Sequence, residues 1–265
     1  MENSGLENEK ALIAALDGKN IASLTKPLRE LANSLFPNSD GVLRCKKGFV
    51  HEKPDLVLTL GSLDRFVSVK SGRSISVHEE SLLTLIPFFR SLGIPEHILK
   101  TLVYFHYGDG TLDGTGPTRF TSNDLRRVCN GYFKEAAKTL TDRRYMIPFF
   151  ERFVFRGIDP DGREVDAVYY GNPDRGVYAS RQEIIDSVIK NPYRHTGTIN
   201  LGPLTYQPAV RNFYGYGEEE KRRNEAEIKW RGLAFDLGDI RKSEHYARHP
   251  SERYYFYDGH RRARK

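Results

Sequence analysis

Two side chains that could hold a cation and stabilise negative charge, Asp55 and Lys70, lie at the ends of a predicted β-hairpin. Residues 53–60 (KPDLVLTL) and 66–71 (FVSVKS) have the composition of strands, and a glycine-containing turn joins them. Antiparallel pairing across this turn is expected to place Asp55 opposite residue 70 or 71. A carboxylate is a preferred ligand of Mg²⁺, and an ammonium group can stabilise developing charge or activate a water molecule. The spacing predicts a charged site at the open end of the hairpin.

The same residues resemble the core motif of the PD-(D/E)XK nucleases, a superfamily that includes many restriction endonucleases. Pro54-Asp55 is followed by Ser68-Val69-Lys70 on the second strand. In that superfamily the aspartate holds a divalent metal ion, a second acid completes the site, and the lysine orients or activates the attacking water. Asp55 and Lys70 match this pattern, whereas Ser68 stands where the second acid is expected. The resemblance implies a metal-dependent endonuclease that hydrolyses DNA with Mg²⁺ or Mn²⁺.

Some members of the superfamily have a serine at this strand position and supply the acid from the following helix. Residues 78–93 (HEESLLTLIPFFRSLG) have the apolar spacing of a helix, with Glu79 and Glu80 near its start. Ser76 and Glu79 have the spacing of a capping box, which assigns Glu79 to the helix N-terminus and leaves Glu80 as the expected acid. His78 is a candidate phosphate contact, because the dipole at a helix N-terminus favours an anion.

Further candidates complete the expected site. The superfamily often adds a carboxylate from the helix before the hairpin, and Glu30 is the candidate here. Ser68 and Arg73 are expected to contact the nucleic acid together with His78, since hydroxyl groups and cations commonly bind phosphates. The resemblance therefore implies a catalytic set of Asp55, Lys70 and Glu80, and a metal site formed by Asp55, Glu80 and Glu30.

A second acid-x-lysine triplet offers a rival site. Glu227-Ile228-Lys229 has strand character, and Asp166 and Asp174 are its possible partner acids. A helix is predicted between these aspartates and Glu227, so the simple logic of a hairpin does not apply to them. This alternative stays open at the level of the sequence.

Contacts with nucleic acid are also predicted in the second half of the chain. Gln207 and Arg211 lie in the segment GPLTYQPAVR, and these side-chain types read adenine and guanine through paired hydrogen bonds. The chain has a net charge of +6, and residues 241–265 carry eight Lys/Arg against three Asp/Glu. Arg261 and Arg262 follow a run of aromatic side chains, a combination that suits phosphate contacts with base stacking. DNA is the expected partner.

The elements that must position these residues indicate a mixed α/β (α+β) fold. The resemblance implies a restriction-endonuclease-like core, with a central mixed sheet flanked by helices, and we expect it in residues 1–105, which contain the predicted N-terminal helices and the hairpin. Residues 106–240 read as helices followed by strands, an elaboration that completes the domain, and residues 241–265 as a basic aromatic tail.

Composition excludes several classes of protein. No apolar run approaches the roughly 18–20 residues of a membrane span. Two cysteines far apart argue against a disulfide framework, and no Walker-type nucleotide loop is found. We expect a cytoplasmic protein with no membrane and no nucleotide cofactor, and with a homodimer as one option. A restriction enzyme and a phage or mobile-element nuclease are both compatible with the pattern. The rivals are a nuclease-fold protein that binds nucleic acid without cutting it, and a protein-binding regulatory domain.

Overall fold

The computed structural model describes residues 4–49, 52–72, 75–116, 119–192, 197–210 and 222–248. Its helices are α1 (Ser4–Leu16), α2 (Lys26–Leu35), α3 (Leu82–Ser91), α4 (Glu96–Tyr107), α5 (Ser122–Leu140), α6 (Arg143–Phe150), α7 (Arg181–Lys190) and α8 (Leu233–Arg248). Its strands are β1 (Arg44–Lys47), β2 (Leu56–Leu60), β3 (Leu63–Lys70), β4 (Ser76–Ser81), β5 (Ala167–Gly171), β6 (Gly176–Ser180), β7 (Ile199–Leu201), β8 (Leu204–Pro208) and β9 (Glu225–Lys229). Within these described ranges, no helix is both long and apolar enough to cross a membrane.

The chain forms two compact units, and neither is a continuous segment. The first unit comprises Met1–Ser71, Val165–Ile184 and Leu233–Lys265, and the second comprises Gly72–Glu164 and Ile185–Gly232. The boundaries that the sequence suggested near residues 105 and 240 fall inside α4 and α8. The chain therefore leaves the first unit directly after the hairpin and returns to it at β5.

A mixed five-stranded sheet forms the centre of the first unit. The strand order is β1-β2-β3-β5-β6, with β3 and β5 parallel and the other neighbours antiparallel. Helix α1 packs on β1, and α2 and α8 pack on β6. The mixed α/β class expected from the sequence is confirmed.

Helix α2 shows how the sequence builds this core. Leu28, Leu31, Ala32 and Leu35 follow the i, i+3, i+4, i+7 spacing of one helical face, and all four are buried. Pro27 lies in the first turn, where its missing N–H has no helical partner to lose. The apolar face of the helix joins the cluster formed by the sheet.

The hairpin turn is tighter than expected. Leu60 pairs with Leu63, so that only residues 61 and 62 form the turn, and Gly61 has a φ of +60°. A positive φ at the first turn residue is typical of type II′ hairpin turns. The backbone N–H of Asp55 bonds to the carbonyl of Val67 at 3.0 Å, and the register continues to Ser68. The expectation that Asp55 lies opposite residue 70 or 71 was wrong by about two residues.

The second unit contains a four-stranded sheet with the order β4-β9-β8-β7, in which all neighbours are antiparallel. The sequence predicted that a helix begins near residue 78. Residues 76–81 instead form β4. Helix α3 begins only at Leu82, and its cap is Ser81, whose hydroxyl accepts a hydrogen bond from the Leu83 N–H. The predicted capping box of Ser76 and Glu79 is therefore wrong.

Helix α8 was not predicted. The segment after β9 has apolar residues at Leu233, Leu237 and Ile240, a helical spacing, and all three are buried. The helix continues through residues 241–248, which the sequence analysis assigned to a basic tail. Arg241 forms an ion pair with Glu183, and its guanidinium lies over the ring of Tyr178 at 4.5 Å. This part of the supposed tail therefore stabilises the first unit.

Candidate active site at the open end of the β2–β3 hairpin

The carboxylate of Asp55 is held by three donors of the neighbouring strand. Its Oδ2 atom accepts hydrogen bonds from the Ser68 hydroxyl at 2.9 Å, the Val69 backbone N–H at 2.6 Å and the Lys70 ammonium at 3.2 Å. The Asp55 and Lys70 side chains are 24% and 21% exposed, so the pair is accessible from solvent while Ser68 is buried. The structure thus brings Asp55 and Lys70 together, although in a different register from the one expected.

The position of these residues follows from the sheet. Strand β3 lies between β2 and β5, and its last residue, Lys70, pairs with Tyr170 of β5. Side chains alternate along a strand, which puts Ser68 and Lys70 on one face. Strand β5 pairs with β3 from Val67 to Lys70, so the backbone that carries the two side chains is fixed by β5.

The second oxygen of Asp55, Oδ1, has no hydrogen-bond donor among the described residues, since all three hydrogen bonds go to Oδ2. Hard divalent cations such as Mg²⁺ take oxygen ligands and keep several waters. The Asp55 carboxylate therefore fits a metal ion on its Oδ1 side while Oδ2 stays fixed by the strand.

A second carboxylate, Glu9 of α1, lies near Asp55, and the sequence analysis missed it. Burial raises the pKa of Glu9, and the negative charge of Asp55 raises it further, while Lys47 and Lys70 act in the opposite direction. The Glu9 carboxylate is 3.9 Å from the Lys47 ammonium. A cation bound beside Asp55 would oppose both effects, because a nearby positive charge lowers the pKa of a carboxyl group.

One signal in the sequence could have identified Glu9. It precedes Leu12 and Leu16 by three and seven residues, so it lies on the same helical face as these two buried leucines. An acid on the apolar face of a helix is unusual unless it is paired or functional. Asn8 supports the placement of α1, because its side-chain amide donates to the carbonyl of Gly171 at 2.8 Å.

Glu30, the helical carboxylate chosen from the sequence, lies elsewhere in the first unit. It pairs with Lys26 of the same helix at 4.0 Å, and its side chain is 51% exposed. Its negative charge acts on Tyr178 of β6, which β3 and β5 separate from β2. The structure does not join Glu30 to Asp55, because α2 packs on the opposite edge of the sheet from β1.

Glu80 belongs to β4 of the second unit, not to a helix, so the premise of an acid relocated onto the following helix is wrong. The Glu80 side chain is fully buried and accepts hydrogen bonds from Nε and Nη2 of Arg152 at 2.9 and 3.1 Å. Its Oε2 atom is 2.5 Å from Nε2 of His78. Burial alone would raise the pKa of Glu80, but the hydrogen bonds and charges of His78 and Arg152 together lower it.

The two residues before Glu80 in the expected site, His78 and Glu79, also differ from the sequence-based prediction. His78 is itself buried and lies within a strand, so the expected helix N-terminus beside it does not exist. Glu79 lies on the surface and pairs with Arg222 at 2.6 Å. The Glu80 carboxylate is thus paired within the second unit, and removing it would leave the charge of Arg152 buried without this partner.

The rival triplet lies in β9 and has partners of its own. The Glu227 carboxylate accepts a hydrogen bond from the Gln207 amide at 2.6 Å and pairs with Lys229 at 3.2 Å. In the first unit, Asp166 accepts a hydrogen bond from the Phe66 N–H at 2.7 Å, which fixes the start of β5. Asp174 lies in the turn between β5 and β6.

Several expectations lie outside the described residues or have no direct test. Arg73, Arg211, Arg261 and Arg262 fall outside the described residues.

Within the described ranges, no group of three or more His, Cys, Asp or Glu side chains is arranged to hold a metal ion.

Comparisons with known proteins give a distant structural likeness. No protein-family profile matches this chain, and no curated protein sequence matches it. Among solved structures, the restriction endonuclease MspI in complex with its cognate DNA is similar, with a TM-score of 0.45 and 13% identity, over 85% of this chain and 88% of that chain. A likeness at this level assigns neither a family nor residue roles, so the function depends on the geometry of the chain itself.

Proposed function

We propose that this protein is a metal-dependent endonuclease that hydrolyses DNA phosphodiester bonds at the open end of the β2–β3 hairpin. The observation that carries the proposal is the Asp55 carboxylate, which one strand fixes through Oδ2 beside the Lys70 ammonium at 3.2 Å. The nearby Glu9 supplies the second acid that the position of Ser68 lacks. Glu80 and Glu30 are not part of the proposed site, because their contacts lie elsewhere.

Asp55 and Glu9 would hold Mg²⁺ or Mn²⁺. When bound, such an ion neutralises charge on the phosphate and makes a water more acidic. The chain contributes oxygen ligands of the type that these hard cations prefer. Ser68 supports Asp55 rather than binding the ion, since its hydroxyl donates to Oδ2.

Lys70 would stabilise the negative charge that builds on the phosphate during hydrolysis. Its ammonium is positioned before substrate arrives, because Asp55 accepts a hydrogen bond from it and the sheet fixes the backbone of β3. Preorganised charge of this kind costs no rearrangement at the moment of reaction. The ammonium is also a candidate for orienting the attacking water.

The test is cleavage of supercoiled plasmid by purified protein in Mg²⁺ or Mn²⁺, with EDTA as the metal-free control. We expect nicked and linear products with the wild type and none with Asp55→Asn. Asp64→Asn is the matched control, because Asp64 lies on the same hairpin near its turn and bonds only to Thr59 in the described part. Cleavage by Asp55→Asn at the wild-type rate would refute the proposal. Tight, salt-dependent DNA binding without cleavage in any metal would favour the inactive nucleic-acid-binding protein instead.

A further inference from the structure

A groove between α5 and the β7–β8 hairpin of the second unit has no part in the proposed chemistry. Two adjoining cavities of about 330 and 370 Å³ form it, and both are lined by Arg126 and Thr198. We call it the α5 groove and define it by Arg126, Asn130, Lys134, Lys138, Thr198 and Asn200 in the first cavity and by Gln207 and Arg231 in the second.

The cations of the α5 groove form a row. Arg126, Lys134 and Lys138 lie eight and four residues apart on one face of α5, with Asn130 between the first two. Four residues of helix advance by about 6 Å, so Lys134 and Lys138 lie about one turn apart, and Arg126 lies on the other side of a kink at Cys129. The described lining of both cavities contains no aspartate or glutamate. In the described part of the chain, no carboxylate lies within ion-pair distance of these three cations.

Neutral donors accompany the charges. The guanidinium of Arg126 donates to the Thr198 hydroxyl at 3.0 Å, which directs it along the groove without neutralising it. At the other end, the Gln207 carbonyl oxygen accepts a hydrogen bond from Arg231 at 3.3 Å, and its amide donates to Glu227. Repeated cations with amide and hydroxyl groups between them are the typical lining of a phosphate-binding surface.

We propose that the α5 groove binds the phosphodiester backbone of a nucleic acid, with Arg126, Lys134 and Lys138 as its phosphate contacts. Gln207 and Arg231 line the second cavity, which continues the groove beyond Arg126. The inference deepens the proposed function, on which it rests, by assigning the substrate a binding surface in the second unit. Three cations along one helix, with no carboxylate partner among the described residues, favour a polyanion with repeated charges over a folded acidic protein.

Salt dependence measures the number of phosphate contacts directly. For duplex DNA the logarithm of the binding constant falls with the logarithm of salt concentration by about 0.9 for each contact. Three contacts therefore account for a slope of about 2.7, and between 50 and 200 mM salt they make the affinity fall about 40-fold further. This is the difference expected between the intact groove and a variant in which the three cations are neutral.

The experiment uses a fluorescein-labelled 20-base-pair duplex and, in a second arm, the single strand, both in EDTA with the full chain carrying Asp55→Asn. The groove variant is Arg126→Gln, Lys134→Gln and Lys138→Gln. The control removes three exposed cations of the same unit outside the groove: Arg90→Gln, Lys100→Gln and Arg127→Gln. Binding is followed by anisotropy at several salt concentrations, and the fluorescence of Trp230 checks that each variant is folded.

We expect the slope of the groove variant to fall by about 2.7 while the control stays within about 1 of the parent. Equal slopes for the two triple variants would overturn the inference, and plasmid cleavage by the wild type would then leave the nuclease proposal intact. A reduced slope in a protein that never cuts would support the groove and refute the nuclease. Absence of binding to both nucleic acids would refute both. If the triple variant fails to fold, the salt slope of the single groove variant Arg126→Gln is compared with that of the single control variant Arg127→Gln.

Discussion

The substitution Glu80→Gln tests whether the Glu80 carboxylate stabilises the second unit or takes part in catalysis. Glu80 is fully buried and binds the Arg152 guanidinium through two hydrogen bonds of 2.9 and 3.1 Å. Glutamine keeps the shape of the side chain and one acceptor oxygen, but it removes the negative charge. The Arg152 side chain is only 16% exposed, so its charge would remain largely buried without a counter-ion.

The expected loss of stability is large. Removing one partner of a buried ion pair costs about 3–5 kcal/mol, and we expect a value of about 3 kcal/mol because glutamine retains part of the hydrogen bonding. Glu79→Gln is the matched control, since Glu79 is the preceding residue and pairs with Arg222 on the surface at 45% exposure. Exposed pairs of this kind contribute about 0–1 kcal/mol.

Urea unfolding followed by the fluorescence of Trp230 measures both variants. Trp230 is the single tryptophan of the chain, is buried in the second unit, and contacts Phe150 with ring centroids 5.2 Å apart. With a slope of about 2 kcal/mol per molar urea, a loss of about 3 kcal/mol shifts the midpoint by about 1.5 M. Glu79→Gln should shift it by less than about 0.5 M.

Acid titration gives a second readout of the same group. The pKa of Glu80 is lower in the folded protein than its ordinary value, so its ionised form stabilises the fold above that value. This contribution is lost as the pH falls through the lowered pKa, and Glu80→Gln should lack that part of the acid unfolding. A midpoint for Glu80→Gln equal to that of Glu79→Gln, together with complete loss of plasmid cleavage, would refute the structural role and restore Glu80 as a catalytic residue.

The remaining predictions concern the first unit. Lys70→Met should lower plasmid cleavage by at least about 10²-fold while leaving DNA binding in anisotropy nearly unchanged, because it removes one positioned charge; equal losses of both would count against a catalytic role. Ser68→Ala should lower the rate by about tenfold or more, since it removes a hydrogen bond of about 1.5–3 kcal/mol to the charged Asp55 carboxylate, and turnover at saturating Mg²⁺ measures this. Glu9→Gln should raise the Mg²⁺ concentration needed for half-maximal cleavage, whereas Glu7→Gln on the exposed side of the same helix should not. The pKa of Glu9 is raised, first by burial and then by the charge of Asp55, so its ionised form destabilises the metal-free protein at neutral pH. Glu9→Gln should therefore raise the melting temperature in EDTA, and a lower value would contradict this cost of the buried charge.

The parts of the site that the sequence could predict are those set by local pairing. Asp55 and Lys70 are fifteen residues apart on two strands joined by a short turn, so even an error of about two residues in register leaves both side chains at the same end. The proximity of Glu9 depends on how α1 packs against β1, which no local pattern determines. The sequence signal for Glu9 was its position on the same helical face as the buried Leu12 and Leu16.

The error at β4 has a different physical origin. A strand with a buried glutamate at position 80 breaks the expected alternation of apolar and polar residues, and the segment then reads as the start of the helix that follows. The residue that makes this burial acceptable, Arg152, comes 72 residues later in the chain. From neighbouring residues alone, such a carboxylate is predicted to be exposed to solvent or to bind a metal. In this structure Glu80 instead forms an ion pair with Arg152.

The serine at position 68 can now be understood from the charges around it. A carboxylate there would face Oδ2 of Asp55 at hydrogen-bond distance, and two ionised acids in contact raise the free energy of the metal-free protein. The Ser68 hydroxyl donates a hydrogen bond instead and so fixes the aspartate that remains. The second acid of the proposed site then comes from Glu9 on α1, where Lys47 and Lys70 moderate its repulsion with Asp55. A site that takes one acid from a strand and one from a helix needs a hydrogen-bond donor at position 68 more than it needs a third carboxylate.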